Sequence, residues 1–94
     1  MSGFSKLHPY GVLLTHLRRM RRHAGLTQVE LAKAWGTSQG VISKIERGER
    51  RLDLVEFVSL CKAMRLSPEE QLRSLLSDFD SLPPDAWQRE FRSD

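Results

Sequence analysis

The sequence predicts an all-α protein, a bundle of five short helices followed by a short C-terminal extension. Apolar residues recur with the helical period, and no segment alternates as a β-strand would. Typical N-cap residues stand before these segments and glycines follow several of them. A chain of 94 residues that is 39% hydrophobic forms one small domain with one modest core. We expect this domain at residues 8–80 and the extension at residues 81–94.

The first three helices are marked by their boundary residues. The first carries an apolar stripe at i, i+4 and i+7 and ends at Gly25. The second, at about 27–35, begins with a capping box of Thr27 and Glu30. The third, at about 38–47, begins at Ser38. The stripe of the first helix is Leu13, Leu17, Met20 and Ala24.

A second capping box and a proline define the last two helices. Asp53 and Glu56 begin the fourth helix, and Ser67, Pro68 and Glu70 begin the fifth in the same manner. The expected inward face of the fourth helix is Leu54, Phe57, Val58, Cys61 and Met64. The apolar face of the fifth helix is Leu72, Leu75, Leu76 and Phe79.

The extension after Asp80 is either a last helical turn or a loose tail. It carries three large apolar residues, Leu82, Trp87 and Phe91. The core of a small bundle has limited use for all of these together with the face of the fifth helix, and surplus apolar surface marks contact sites. We therefore expect a homodimer interface here. In the competing interpretation, the extension folds back onto its own subunit. The expected interface residues are Leu72, Leu75, Leu76, Phe79 and Trp87.

Charge divides the chain into a basic and an acidic half. Residues 1–52 carry a net charge of +7 and residues 53–94 a net charge of −4. This asymmetry favours a basic surface that faces a polyanion, although charges also simply solvate helices. The chain has one cysteine, no membrane-length apolar run and no signal-peptide pattern, so a cytoplasmic protein is expected.

The residues give no support for an enzyme. His16 and His23 are seven residues apart on a helix, a rise of about 10.5 Å that is too long for a shared metal. Cys61 lies on an apolar face, where a buried thiol is unreactive. We find no phosphate-binding glycine loop and no catalytic constellation, and we expect no metal, cofactor or small-molecule ligand.

The third helix has two contrasting faces. Val41, Ile42 and Ile45 form an aliphatic face. The opposite face covers about 140° of the helical wheel and contains hydrogen-bond donors but no acid, as contacts to base edges and phosphates require. Two short helices joined by a tight turn form the unit that inserts its second helix into the DNA major groove. The residues of the outer face are Gln39, Gly40, Ser43, Lys44 and Arg47.

The stretch from residue 17 to residue 64 resembles the Cro and lambda-repressor-like helix-turn-helix proteins, also called the XRE type. The resemblance depends on the pattern "GLTQ-x-x-LA-x-x-x-G-x-S-x-x-x-IS-x-IE-x-G" at residues 25–48. It implies five helices, of which the third reads double-stranded DNA. Within that family pattern, the base-reading positions are Gln39, Gly40, Ser43 and Lys44.

The resemblance also implies supporting roles around the third helix. Gln28 would brace Gln39 or bind a phosphate, and Arg21 would pair with Glu46 and turn toward a phosphate. In the simpler interpretation, Gln39 is only a first-turn residue, Arg21 and Glu46 form only a structural ion pair, and the loop arginines are only solvated. The implied phosphate contacts are Arg21, Gln28, Ser38, Arg47, Arg50 and Arg51.

Three positions depart from the family pattern. Gly40 stands where many members carry a base-contacting side chain, so the backbone approaches the groove closely or fewer bases are read. Thr37 stands where an aliphatic residue is usual, and Trp35 replaces the usual leucine. We expect the Trp35 ring to fill core volume that Thr37 leaves.

The residues and the family resemblance together favour a bacterial or phage protein that is a sequence-specific DNA-binding regulator, a repressor or autoregulator that binds a palindromic operator as a homodimer. The alternative is a protein-interaction module with the same fold, such as an antitoxin that binds a toxin, or an adaptor.

Overall fold

The computed structural model describes residues 4–91, and all of its regular structure is helical. The five expected helices are present, and part of the extension forms a sixth. The helices are α1 (Pro9–His23), α2 (Gln28–Trp35), α3 (Gln39–Glu46), α4 (Leu54–Ala63), α5 (Pro68–Phe79) and α6 (Asp85–Phe91).

Local capping bonds explain where these helices begin. Thr27 Oγ1 accepts a bond of 3.1 Å from the Glu30 amide, and the Glu30 carboxylate accepts one of 2.9 Å from the Thr27 amide. Asp53 forms the same reciprocal pair at the start of α4. At α5, Ser67 accepts from the Glu70 amide at 3.2 Å, but within the described contacts the return bond is missing. The third expected box is therefore a simple N-cap.

The core lies where α1, α4 and α5 meet the apolar faces of α2 and α3. The expected inward position of Leu54 is wrong: its side chain is 68% exposed, because the first residue of α4 points away from the bundle. Leu60 is buried instead. The main buried residues are Leu14, Leu17, Met20, Leu31, Ala32, Ile42, Ile45, Phe57, Leu60, Cys61, Met64 and Leu75.

Burial of Cys61 fits its position on the inner face of α4. The thiol is fully buried, and desolvation raises its pKa to about 11. A neutral, enclosed thiol is a poor nucleophile, as expected for a core cysteine.

A buried histidine joins α1 to α5. His16 is 2% exposed, and its Nδ1 lies 3.3 Å from Asp78 Oδ2. Arg19 also donates to Asp78. Arg19 Nη2 also lies 3.0 Å from His16 Nδ1, whereas Nε2 is buried without a hydrogen-bond partner in the described part of the molecule. Burial of the His16 ring and the nearby Arg19 charge lower the His16 pKa.

The C-terminal extension folds back onto its own subunit. The Trp87 and Phe79 rings pack edge to face with centroids 4.9 Å apart, and α6 packs against α1. Leu82, in the connection, is buried. The side chain of Phe91 lies outside the described residues. None of the described helices has the length and apolar content needed to cross a membrane.

Candidate nucleic-acid interface

Helices α2 and α3 pack closely together and are joined by a tight turn. Gly36 ends α2 with φ +85°, a left-handed conformation that lets the chain reverse direction. Ser38 then caps α3 by accepting a bond of 3.3 Å from the Val41 amide. Ile42 and Ile45 are each 2% exposed and anchor α3 to the core, which leaves its opposite face toward solvent.

The exposed start of α3 is held by a chain of hydrogen bonds from the interior. Gln39 Nε2 donates to Gln28 Oε1 at 2.7 Å, and Gln28 Nε2 donates to Glu46 Oε1 at 3.1 Å. Glu46 is paired with Arg21, with Nε to Oε2 at 2.7 Å and Nη2 to Oε1 at 3.1 Å. Gln28 therefore braces Gln39, and this orientation depends on Glu46.

Glu46 is a buried acid with a full set of partners. Its side chain is 6% exposed, and a buried carboxylate is tolerated only when it is paired and hydrogen-bonded. Arg18 Nη1 adds a bond of 2.7 Å to the Glu46 carbonyl oxygen at the end of α3. The ion pair thus ties α1 to both helices of the motif.

Arg21 faces inward and not toward solvent. Its Nη1 donates to the Leu26 carbonyl oxygen at 3.0 Å, so all three guanidinium nitrogens have internal partners. The side chain is 11% exposed. The structural role of Arg21 accounts for these contacts, and they leave little of it to reach a phosphate.

Two of the expected phosphate-binding arginines are paired with carboxylates. Arg47 donates to both Glu49 oxygens, at 2.9 and 3.2 Å, and also to Ser43 Oγ. The bond from Arg47 lowers the Glu49 pKa. Arg50 Nη2 donates to Glu56 at 2.7 Å. The helix face itself is free of acid, but the residues that follow it supply two.

The remaining outer residues are more open. Lys44 is exposed, and its side chain has no hydrogen bond or ion pair within the described residues. Gly40 is exposed as well, and a Cβ there would meet only the Ser38 hydroxyl at 3.8 Å, so space within the protein does not demand a glycine. The Arg51 guanidinium lies over the Tyr10 ring at 4.5 Å from its centroid.

Sequence reasoning missed the partners of the basic residues. Glu49 and Glu56 stand two and six residues from their arginines, but nothing in the pattern showed that the side chains meet. The bond from Arg18 to the end of α3 was also missed. Trp35 is only partly buried, and its indole donates to Ser59 Oγ at 2.9 Å.

The expected interface residues of α5 separate into two groups. Leu75 is 5% exposed and belongs to the core, so its expected place in an interface is wrong. Phe79 and Trp87 pack against each other within the chain. Leu72 and Leu76 are 39% and 53% exposed and form the outward apolar edge.

These features define a helix-turn-helix protein: two short helices with a tight turn, the second of which presents a polar and cationic face. A family model described as a helix-turn-helix domain matches residues 12–75. The chain belongs to the XRE-type helix-turn-helix family.

Similar proteins include regulators and an antitoxin. The chain is 36% identical over 56 residues to an uncharacterized HTH-type transcriptional regulator of Sinorhizobium fredii. The aligned region covers 60% of this chain and 73% of that protein. This chain is also 31% identical over 67 residues to Antitoxin HipB of Escherichia coli, and the aligned region covers 71% of each protein.

Two solved structures share the fold. An XRE-family like protein from Pseudomonas syringae superposes with a TM-score of 0.68 at 40% identity, over 73% of this chain and 84% of the other. The clp gene regulator ClgR from C. glutamicum superposes with a TM-score of 0.64 at 30% identity, over 73% and 90%.

Proposed function

We propose that the protein is a sequence-specific DNA-binding transcriptional regulator, a repressor or autoregulator, that reads the major groove with the outer face of α3. Gln39, Gly40, Ser43 and Lys44 face the bases. Arg47, Arg50 and Arg51 contact the backbone, together with Gln28 and Ser38 at the starts of α2 and α3. The similarity to transcriptional regulators supports this assignment.

The observation that carries the proposal is the bracing of Gln39. A glutamine reads adenine by a bidentate pair, with its amide donating to N7 and its oxygen accepting from N6. One amide hydrogen of Gln39 is engaged by Gln28, which fixes the plane of the side chain. The second amide hydrogen and the oxygen remain for a base. A solvated residue at the start of a helix has no need of a brace that reaches back to a buried acid.

The proposed regulator is a homodimer on a palindromic operator. Leu72 and Leu76 lie one turn apart on the exposed edge of α5 and are the residues that we assign to the interface. A two-fold axis at this edge pairs the two recognition helices with half-sites about 34 Å apart.

A second candidate function is protein interaction, with the similarity to Antitoxin HipB as its specific support. In this case the principal ligand is a protein partner, such as a toxin, and DNA is bound weakly or for autoregulation. The two functions differ in their DNA affinity, which salt titration measures directly.

Selection of bound sites from a random DNA pool tests the principal proposal. We expect recovery of a palindrome, with an affinity at least about 10³-fold above that for random DNA and a steep salt dependence. Absence of an enriched site, together with weak binding to all DNA, would favour the protein-interaction function.

Variants of α3 then test the base-reading roles. Gln39→Ala or Lys44→Ala should cost about 1–3 kcal/mol on the selected site and little on random DNA, because each removes a base contact. Arg47→Ala is the matched comparison and should weaken binding to both DNAs alike. Equal losses on both DNAs for Gln39→Ala would refute its role.

A further inference from the structure

Within the described residues, cations without a carboxylate partner occur beside α1 as well as on the recognition helix, where Lys44 is one. Four arginines of the basic half are paired with carboxylates within the described part of the molecule: Arg19, Arg21, Arg47 and Arg50. The exposed side chains of Lys6 and Arg22 have no hydrogen bond or ion pair there. Among the described residues, the Arg18 side chain donates to a neutral carbonyl oxygen and to no carboxylate.

These three cations lie around one open cleft on the outer face of α1, which we call the basic cleft. None of its described lining residues is an acid. Arg18 and Arg22 are four residues apart on α1, a rise of about 6 Å along the helix axis. The lining residues are Lys6, Thr15, Arg18, Arg19, Arg22 and His23.

The size of the basic cleft favours a chain of anions over a single ion. The cleft is open to solvent and has a volume of about 590 Å³. A single inorganic anion would leave most of this volume to solvent and meet only one or two cations. A strand of sugar-phosphates brings several charges along the row.

The position of the basic cleft next to α3 indicates which polyanion it binds. Arg18, on the wall of the basic cleft, donates to the carbonyl oxygen of Glu46, the last residue of α3. The cleft therefore begins where the proposed DNA-reading helix ends. An acidic protein segment could also pair with these cations, but nothing would require its site to adjoin the end of α3.

We propose that the basic cleft binds the phosphate backbone of duplex DNA that flanks the site read by α3. This inference rests on the proposed function. Its contacts are independent of base sequence, because arginine and lysine meet only phosphates here. With these contacts, the protein covers a longer stretch of DNA than the bases that α3 reads.

Two duplexes of different length separate flank binding from binding at α3. The short one contains only the selected site, and the long one carries about one further helical turn at each end. The double variant Lys6→Ala/Arg22→Ala should bind the short duplex as the wild type does. On the long duplex it should lose roughly eightfold in affinity at 0.1 M salt for each contact removed, and the salt slope should fall by about 0.9 per contact.

A charge-matched control is available on the far helices. Lys62→Ala/Arg73→Ala removes two exposed cations of α4 and α5 that have no partner among the described residues. This variant should show no difference between the two duplexes. A length-dependent loss in the control as large as in the cleft variant would mean that net charge alone is responsible, and would overturn the proposal.

Other outcomes assign failure clearly. If the wild type selects a site but binds both duplexes equally, or if the cleft variant loses affinity equally on both, the flank contact is wrong while the proposed function stands. The wild type could also bind both duplexes equally and capture poly-glutamate, with this capture lost in the cleft variant. That result would assign the cleft to an acidic protein segment and overturn the proposal. If the wild type selects no site, the proposed function fails and the flank contact with it.

Discussion

Three glutamates near the proposed DNA surface have different physical roles. Glu46 is buried, fully bonded and supports Gln28, which in turn holds Gln39. Glu49 and Glu56 are at or near the surface and pair with arginines that we assign to phosphates. An acid of the first kind positions a proposed DNA contact, whereas an acid of the second kind competes with one.

Removal of Glu46 should weaken DNA binding although it removes a negative charge. We expect Glu46→Ala to reduce affinity for the selected site, since Gln28 and Gln39 lose their support. Loss of one partner of a buried ion pair also costs about 3–5 kcal/mol of stability, so folding must be checked by circular dichroism. Glu46→Gln keeps an acceptor for Gln28 and should retain more affinity than Glu46→Ala. A gain in affinity in either folded variant would contradict the positioning role.

Removal of the Glu49 charge should have the opposite effect. Glu49→Gln frees Arg47 for phosphate and should raise affinity by up to about eightfold at 0.1 M salt, with a salt slope steeper by up to about 0.9. The gain should be equal on selected and random DNA, because phosphates carry no sequence information. Glu69→Gln changes the net charge equally on distant α5 and serves as the control. Weaker binding by Glu49→Gln would show that the carboxylate positions Arg47.

At the scale of helices, the α1–α5 contact contains a pH-sensitive group. The His16 pKa is lowered in the folded protein, so the unfolded chain binds more protons as the pH falls through the usual histidine range. The free energy of unfolding should therefore be highest above pH 6.5 and should decrease as the pH falls below that value. Urea titrations between pH 7.5 and pH 5.5 measure this change.

Two histidine variants identify the source of this pH dependence. His16→Gln should flatten the profile, because the buried ring that resists protonation is absent. His23→Gln replaces an exposed ring of the same helix and should leave the profile unchanged. A profile that keeps its slope in His16→Gln would show that another group is responsible.

The helix boundaries could be predicted because they depend on neighbouring residues. Thr27 and Asp53 cap their helices through bonds that span three residues, and Gly36 supplies a left-handed turn. The orientation of α5 could not be predicted in this way. Its four apolar residues span a broad arc, and only packing against α1 and α4 decides that Leu75 is buried and Leu76 is exposed.

The residues of the candidate site could be predicted from the sequence, but the hydrogen bonds and ion pairs between them could not. The two-faced pattern of α3 identifies its outer residues, since helical geometry alone places Gln39 opposite Val41 and Lys44 opposite Ile42. The partners of the arginines depend on side-chain conformations and on how α1 lies against α3. For this reason the pairing of Arg47 with Glu49, and the bond from Arg18 to α3, emerged only in the structure.

For the whole molecule, the main prediction concerns the oligomer. Leu76→Glu places a charge on the exposed apolar edge of α5 and should convert the proposed dimer into a monomer that binds the proposed palindrome without cooperativity. Sedimentation measures the oligomeric state, and titration against whole and half operators measures the cooperativity. Leu75 is unsuitable for this test, because a charge at its buried position would disrupt the core.

Exposed residues at the start of α4 provide the comparison for this variant. Leu54 and Val55 are 68% and 78% exposed and form a second apolar patch. Leu54→Glu should remain dimeric. If Leu54→Glu is monomeric and Leu76→Glu is not, the interface lies at α4 and the assignment to α5 is wrong.

The arginine–glutamate pairs that follow α3 also bear on how the protein would leave DNA. Each of Arg47 and Arg50 has a carboxylate within hydrogen-bonding distance on its own chain. An arginine that releases a phosphate can therefore pass to this carboxylate without an unpaired intermediate. On the proposed interface, the backbone contacts can be released one at a time, and dissociation becomes a series of small barriers in place of one large barrier. The two glutamates would then shorten the lifetime of the complex as well as limit its affinity.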